Sequence, residues 1–246
     1  MNKTIIQNID NLTFYLTVED PCSYLDGKVE RKIFTKLNGK NATDYFEQLS
    51  QHGFRRSQNI AYIPACKACN ACRSARIIIN GFKFSKSQRR VLNKNKDLIR
   101  KIKPNHPSSQ QYRLFNRYIN ARHSDGEMSN MGVMDFAKMI AESNVNTKLF
   151  EYYLPNEETE EDTLVAVALT DIMSDGVSMV YSFFEPSLEK TSIGKYLILD
   201  HIRYSQENKL PYVYLGFYID GSKSMEYKNQ YQPQEQFDGT EWQKAD

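Results

Sequence analysis

No apolar run in this sequence approaches the roughly 20 residues that a helix needs to cross a bilayer. The opening stretch, "MNKTIIQNIDNLTFYL", has acid and amide groups where a secretory signal needs an unbroken apolar core, so a cytoplasmic location is expected. Cysteine is scarce: four in 246 residues are too few for a disulfide framework. In a cytosolic protein they are expected to stay reduced. The phosphate-cradling pattern GxxxxGK(S/T) is missing, which removes the usual loop for nucleotide hydrolysis. The histidines His52, His106, His123 and His201 fall in no nucleophile-type motif, so no histidine base is assigned. There is no internal repeat.

What is present is an uneven distribution of charge. The net charge of +2 conceals a segment, residues 52–122, with 17 Lys/Arg and one acid, Asp97. Residues 123–246 carry 9 Lys/Arg against 22 acids. A basic stretch of that density attracts polyanions by releasing their counterions. The plainer reading is a solvated basic face paired with an acidic neighbour. At 40% apolar and 25% charged, the chain has the composition of a globular protein of one large or two modest domains.

The pattern of residues predicts a mixed α/β fold. "NLTFYLTVEDPCSYL" reads as a strand entering a turn at Asp20-Pro21. Phe46 and Leu49, followed by Gly53, mark a helix and its stop. "ARIIING" is a β-branched strand. "SKSQRRVLNKNKDLIRKI" reads as one basic helix, capped at Ser85 or Ser87 and ended by Pro104. "SSQQYRLFNRYINARHS" is a second, with Tyr112, Phe115, Tyr118 and Ile119 on one side, and "SNMGVMDFAKMIAES" a third. Two β-rich runs around Asp175-Gly176 form a hairpin. A helix from Thr191 or Ser192 and the strand "LPYVYLGFYI" follow. Hairpin, helix, strand is the central order of the N-acetyltransferase-like acyltransferase fold, an analogy of order alone. The expected division is a smaller basic, cysteine-containing N-terminal region, residues 1–90, and an acyltransferase-like domain, residues 91–246.

In "YIPACKACNACRSARI", Cys66, Cys69 and Cys72 stand at two-residue intervals, and Cys22 stands alone in "EDPCSYLDG". Together they make a thiolate set for zinc or an iron–sulfur cluster if the backbone turns tightly. Lys67, Arg73 and Arg76 would favour the thiolate. The alternative is four reduced thiols packing a loop.

The stretch "FTKLNGKNATDYFEQLSQHGFRRSQNIAYIPACKACNACRSARI" resembles the N-terminal region of the arginyl-tRNA–protein transferases. "FKFSKSQRRVLNKNKDL", "LFNRYINARHSDGEM" and "YLGFYIDGSKSMEYKNQYQPQEQFDGTEW" extend the resemblance over nearly the whole chain. In pattern it is nearest to the bacterial branch, the aspartate/glutamate leucyltransferases. Where many relatives have proline, this chain has Asp26 in "YLDG", which changes a turn. The resemblance implies transfer of leucine from leucyl-tRNA to the α-amine of an N-terminal Asp or Glu, marking the product for N-degron (N-end rule) degradation. No cofactor is required, because the ester is already activated; eukaryotic relatives are associated with metal or cluster binding at N-terminal cysteines.

Such a reaction needs an acceptor for the amine proton, donors for the ester oxygen and a cation for the acidic side chain. Tyr62 and Lys228 are the candidates at the reacting centre. Arg55, Arg56 and Arg76 are the candidates for substrate binding, with Arg76 favoured because it leads into a strand. Arg73, Arg89, Arg90 and Lys94 are expected to hold tRNA. Expected partners are aminoacyl-tRNA and proteins with N-terminal Asp or Glu, with no membrane. Three alternatives stand beside this reading: an arginyl-tRNA donor, a zinc-ribbon-like nucleic-acid-binding module, and an acetyl-CoA-dependent N-acetyltransferase. The last needs a glycine-rich turn that "EKTSIGK" matches poorly.

Overall fold

A computed structural model describes residues 12–122, 124, 126–155 and 161–245. The signal-peptide reading of the first eleven residues, His123 and most of the acidic run after Pro155 lie outside them. The described residues begin with strands β1 (Phe14–Leu16), β2 (Asp20–Pro21), β3 (Val29–Glu30) and β4 (Lys32–Lys36). Helix α1 (Ala42–Gln51) leads into β5 (Arg55–Ser57), β6 (Ile60–Pro64) and β7 (Cys72–Ile78). Next come α2 (Lys86–Lys94), β8 (Ile99–Pro104), α3 (Ser109–Arg122) and α4 (Val133–Ala141). Strands β9 (Thr147–Leu154), β10 (Thr163–Met173) and β11 (Gly176–Phe184) precede α5 (Ile193–Glu207). The described chain closes with β12 (Tyr212–Ile219), β13 (Gln234–Phe237) and β14 (Trp242–Ala245).

The chain forms two compact units: residues 1–78, 144–146 and 214–246, and residues 79–143 and 147–213. This differs from a division at residue 90. The C-terminal strands return to pair with β7, so the last 33 residues join the first unit.

In the first unit, an antiparallel sheet runs β1-β4-β6-β5, and a second row runs β14-β13-β7-β12. Helix α1 buries Phe46 and Leu49, as their spacing predicts. Gly53 then turns the chain at φ +80°, where a Cβ would lie 2.4 Å from the Phe237 ring. Asp20-Pro21 is not the expected turn. It pairs as β2 with β3, and the reversal comes in the residues after it.

In the second unit, the row β11-β10-β9-β8 is antiparallel. Side chains alternate across a strand, so β9 and β10 feed two cores. Leu149 and Val167 face Phe115, Ile119, Phe136 and Ile140 of α3 and α4. Phe150 and Ala168 face Ile193 and Leu197 of α5, with Val91 and Leu92 of α2 against the same cluster. The hairpin closes at Met173–Gly176 as expected.

The single basic helix expected from Ser85 to Pro104 is instead a helix and a strand. Ser85 caps α2 through a capping box with Gln88. Asn95 stops it, its side-chain amide donating to the carbonyls of Val91 and Thr191 at 2.9 Å. Ile99 and Ile102, three apart and helix-like on paper, belong to edge strand β8 and stay exposed.

Candidate functional site

Strand β5 carries two adjacent arginines, and alternation sends them apart. Arg55 and Arg56 are both 5% exposed. Arg56 donates to the carbonyl of Gln58 at 2.5 Å. Arg55 lies across from Tyr62 on β6 and reaches the backbone of β12 at Gly216. Gly216 sits mid-strand at φ +84°. A Cβ there would be 3.7 Å from Lys228 Nζ and 3.9 Å from Arg55 Nε and Nη2. Two cations therefore flank one glycine.

Lys228 lies in a short 3-10 turn, Glu226–Gln230, and is buried rather than on a helix face. Its Nζ donates to the Phe217 carbonyl at 2.5 Å. Among the described residues it has no ion pair. Burial, then the neighbouring Arg55 charge, bring its pKa down to about 7. The Phe217 ring is tilted against Tyr62, with centroids 5.8 Å apart. Of the residues expected at the reacting centre and the acceptor, the structure gathers Arg55, Tyr62 and Lys228.

Arg76 is engaged elsewhere. On β7 it is opposite Glu235 of β13, and its Nε and Nη2 both reach Glu235 Oε2 at 2.7 Å. Its guanidinium lies 4.1 Å from the centre of the Trp242 ring, and Nη1 donates to Tyr214 Oη at 3.3 Å. A fork held on an acid and an aromatic face joins β7, β13 and β14. That arrangement weighs against Arg76 as the acceptor's cation, despite its rigid strand.

The expected tRNA contacts fall in both units. Arg89, Arg90 and Lys94 project into solvent from α2, whose apolar side packs through Val91 and Leu92. Arg89 donates to the Phe84 carbonyl at 2.6 Å, and none of the three forms an ion pair among the described residues. Arg73 belongs to β7 in the first unit, exposed and near Asp238.

Cys22, Cys66, Cys69 and Cys72 all line one cavity of about 210 Å³ in the first unit. None is in a disulfide. No three Cys, His, Asp or Glu side chains among the described residues are placed to hold one metal ion. The nearby cations do not make Cys72 a thiolate, as the sequence suggested. Burial, then the three other cysteines, push its thiol up to about 11. The placement of this set among the described residues therefore does not fit zinc or a cluster as it stands.

Sequence reasoning missed Glu235, Phe217 and Gly216. A glycine inside the strand "YLGFYI" was the available signal, because it marks a close approach. No helix among the described residues is long and apolar enough to cross a membrane.

Comparison with known proteins covers both units. Residues 20–90 match the family model described as arginine-tRNA-protein transferase, N terminus. Residues 110–238 match the one described as arginine-tRNA-protein transferase, C terminus. The aspartate/glutamate leucyltransferase of Sinorhizobium medicae is 50% identical over 236 residues, 94% of this chain and 91% of its own. That of Brucella suis is 47% identical over 236 residues, 94% of this chain and 95% of its own. Among solved structures, FemX aligns over 75% of this chain and 62% of its own, at 9% identity and a TM-score of 0.45. That likeness is too distant to argue from. The two family matches and the near-full-length relatives place the chain in the arginine-tRNA-protein transferase family.

Proposed function

We propose that this protein transfers leucine from leucyl-tRNA to the α-amine of proteins that begin with Asp or Glu, marking them for degradation, on an N-acetyltransferase-like acyltransferase scaffold. The observation that carries the reading is the buried pair Lys228 and Arg55 at Gly216. The acceptor amine must be neutral to attack the ester carbonyl. A lysine with a pKa of about 7 is neutral in a large fraction of molecules at that pH, and can take the proton the amine sheds. Arg55, always charged and within reach of the same glycine, would stabilise an oxyanion developing there.

The step balances within these groups. The amine nitrogen bonds to the leucyl carbonyl carbon, and its proton passes to Lys228 Nζ. The tetrahedral intermediate collapses, the bond to the ribose oxygen breaks, and Lys228 returns the proton to that oxygen. An amide replaces an ester with no nucleotide, metal or covalent enzyme intermediate required. The exposed cations of α2 suit the donor's phosphates.

The test is transfer of label from leucyl-tRNA, arginyl-tRNA or acetyl-CoA to peptides starting with Asp, Glu, Asn or Gln. Leucine should pass to the Asp and Glu peptides. Transfer from arginyl-tRNA alone would reassign the donor, and acetylation alone would overturn the reading.

A further inference from the structure

We infer that the cysteine-lined cavity of the first unit is a pocket for the acidic side chain of the acceptor's N-terminal residue. This rests on the acceptor class proposed above and adds a place for it. The cavity, about 210 Å³, is smaller than the roughly 300–1,000 Å³ typical of sites for drug-sized ligands. It has room for one side chain rather than a nucleotide or a coenzyme. Its apolar wall includes Leu25, Ile63, Phe217 and Phe237, against which a methylene stem can lie.

Charge selects the head group. Lys28, Arg31, Lys32 and Arg73 line the cavity against two acids, Glu30 and Asp238. Lys32 is taken by Glu30 at 2.5 Å, and Arg31 lies 3.9 Å from Glu19. Lys28 and Arg73 are exposed and make no ion pair among the described residues. Asp238, the acid near Arg73, accepts from the backbone N–H groups of Thr240 and Glu241 at 2.8 and 2.9 Å. Arg73 feels Asp238 but forms no hydrogen bond or ion pair with it among the described residues, so its planar fork stays available to a carboxylate. The thiols present weak donors and small volume, and their placement does not make a metal site.

The link to the reaction is Phe217. The residue lines this cavity, and its carbonyl holds Lys228 Nζ at 2.5 Å. A side chain seated in the cavity thus lies across one strand residue from the proposed proton acceptor. An amide isostere would fill the same space but leave the cations facing a neutral group. Asp and Glu would then be separated from Asn and Gln by charge rather than by shape.

The experiment labels the full-length protein with N-ethylmaleimide and reads Cys66 and Cys69 by peptide mass spectrometry. It is run alone, with a hexapeptide starting with Asp, with its Asn counterpart, and with leucyl-tRNA. At a peptide concentration about ten times its Kd, the Asp peptide should slow labelling at both cysteines about tenfold, and the Asn peptide, about tenfold weaker for want of one charge-assisted hydrogen bond, no more than about twofold. This takes Arg73 out of the tRNA contacts expected of it and gives it to the acceptor: Arg73→Met should raise KM for the Asp peptide about tenfold and cut the Asp-over-Asn preference by the same factor, while KM for leucyl-tRNA, which a phosphate contact would raise, stays unchanged. Transfer without protection by the Asp peptide would overturn the pocket while leaving the reaction intact. Protection without transfer would keep the pocket and sink the reaction. Protection by leucyl-tRNA alone, or a stoichiometric metal on these thiols in active protein, would also overturn it.

Discussion

Replacing Lys228 with methionine should abolish fast transfer and make the protein more stable. Unfolded, a lysine keeps its proton to about pH 10.4. In the folded chain Lys228 loses it at about 7. Between those values the unfolded state binds more protons, so wild-type stability rises with pH across that window. Below pH 7 both states are protonated, and the full cost of the buried charge is present. At about 1.36 kcal/mol per pH unit, a fall from 10.5 to about 7 corresponds to roughly 5 kcal/mol. Methionine removes that cost and gives up the bond to the Phe217 carbonyl, worth about 1 kcal/mol. The net gain at pH 6 should be about 2–4 kcal/mol, or roughly 5–15 °C in Tm for a chain of this size. It should shrink as pH approaches 10. Guanidinium denaturation of both proteins from pH 6 to 10 measures the gain. Single-turnover leucyl transfer over pH 6 to 9 measures the chemistry, where loss of an acid–base group costs about a hundredfold or more. Below pH 7 the wild type should lose up to about tenfold per pH unit from this lysine. A variant less stable than wild type at every pH, or one that retains transfer, would refute the argument.

Reversing Arg89 and Arg90 to glutamate should lower the slope of log affinity against log salt for tRNA by about 2 and leave the Tm nearly unchanged, because both side chains are exposed; an unchanged slope would move the tRNA contacts off α2. Arg76→Met should cost about 3 kcal/mol, read by urea denaturation, because it takes from Glu235 its bidentate partner and from Trp242 its stacked guanidinium, and Glu235→Gln in the same chain should recover part of it. Gly53→Ala should lower stability by more than about 2 kcal/mol, since it combines a positive φ with a clash against Phe237. Gly216→Ala meets ordinary contact distances, so its cost should be only the backbone's, about 1–2 kcal/mol.

Elements whose signals are local could be read from the sequence. Phe46, Leu49 and Gly53 define α1 because spacing and stop lie within one stretch. Asp175-Gly176 defines the β10–β11 hairpin in the same way. Strand β8 could not be read, because nothing local separates it from a helix. Its outer side is an edge, so Ile99 and Ile102 are not buried in strand alternation. What fixes it is distant: β9 pairs along it, and Arg100 reaches Asp200 at 2.9 Å.

The same limit applies to the cations. Arg55, Arg56, Arg73 and Arg76 look interchangeable in a row of positive charge. Strand alternation divides the first two, sending one to Gly216 and the other to the Gln58 carbonyl. The C-terminal segment sorts the remainder. Glu235 and Trp242 claim Arg76, Asp238 stands near Arg73, and Lys228 joins Arg55. A count of local charge registers only that a polyanion is attracted. It cannot register which guanidinium is already neutralised, because the neutralising acid lies 159 residues away in the chain, as Glu235 does from Arg76. Chemistry at the site depends on that residue-by-residue neutralisation. An arginine that ends in an ion pair stabilises a sheet, and one that ends beside a buried lysine adds to the fall in pKa that burial begins, which is what the proposed proton transfer requires.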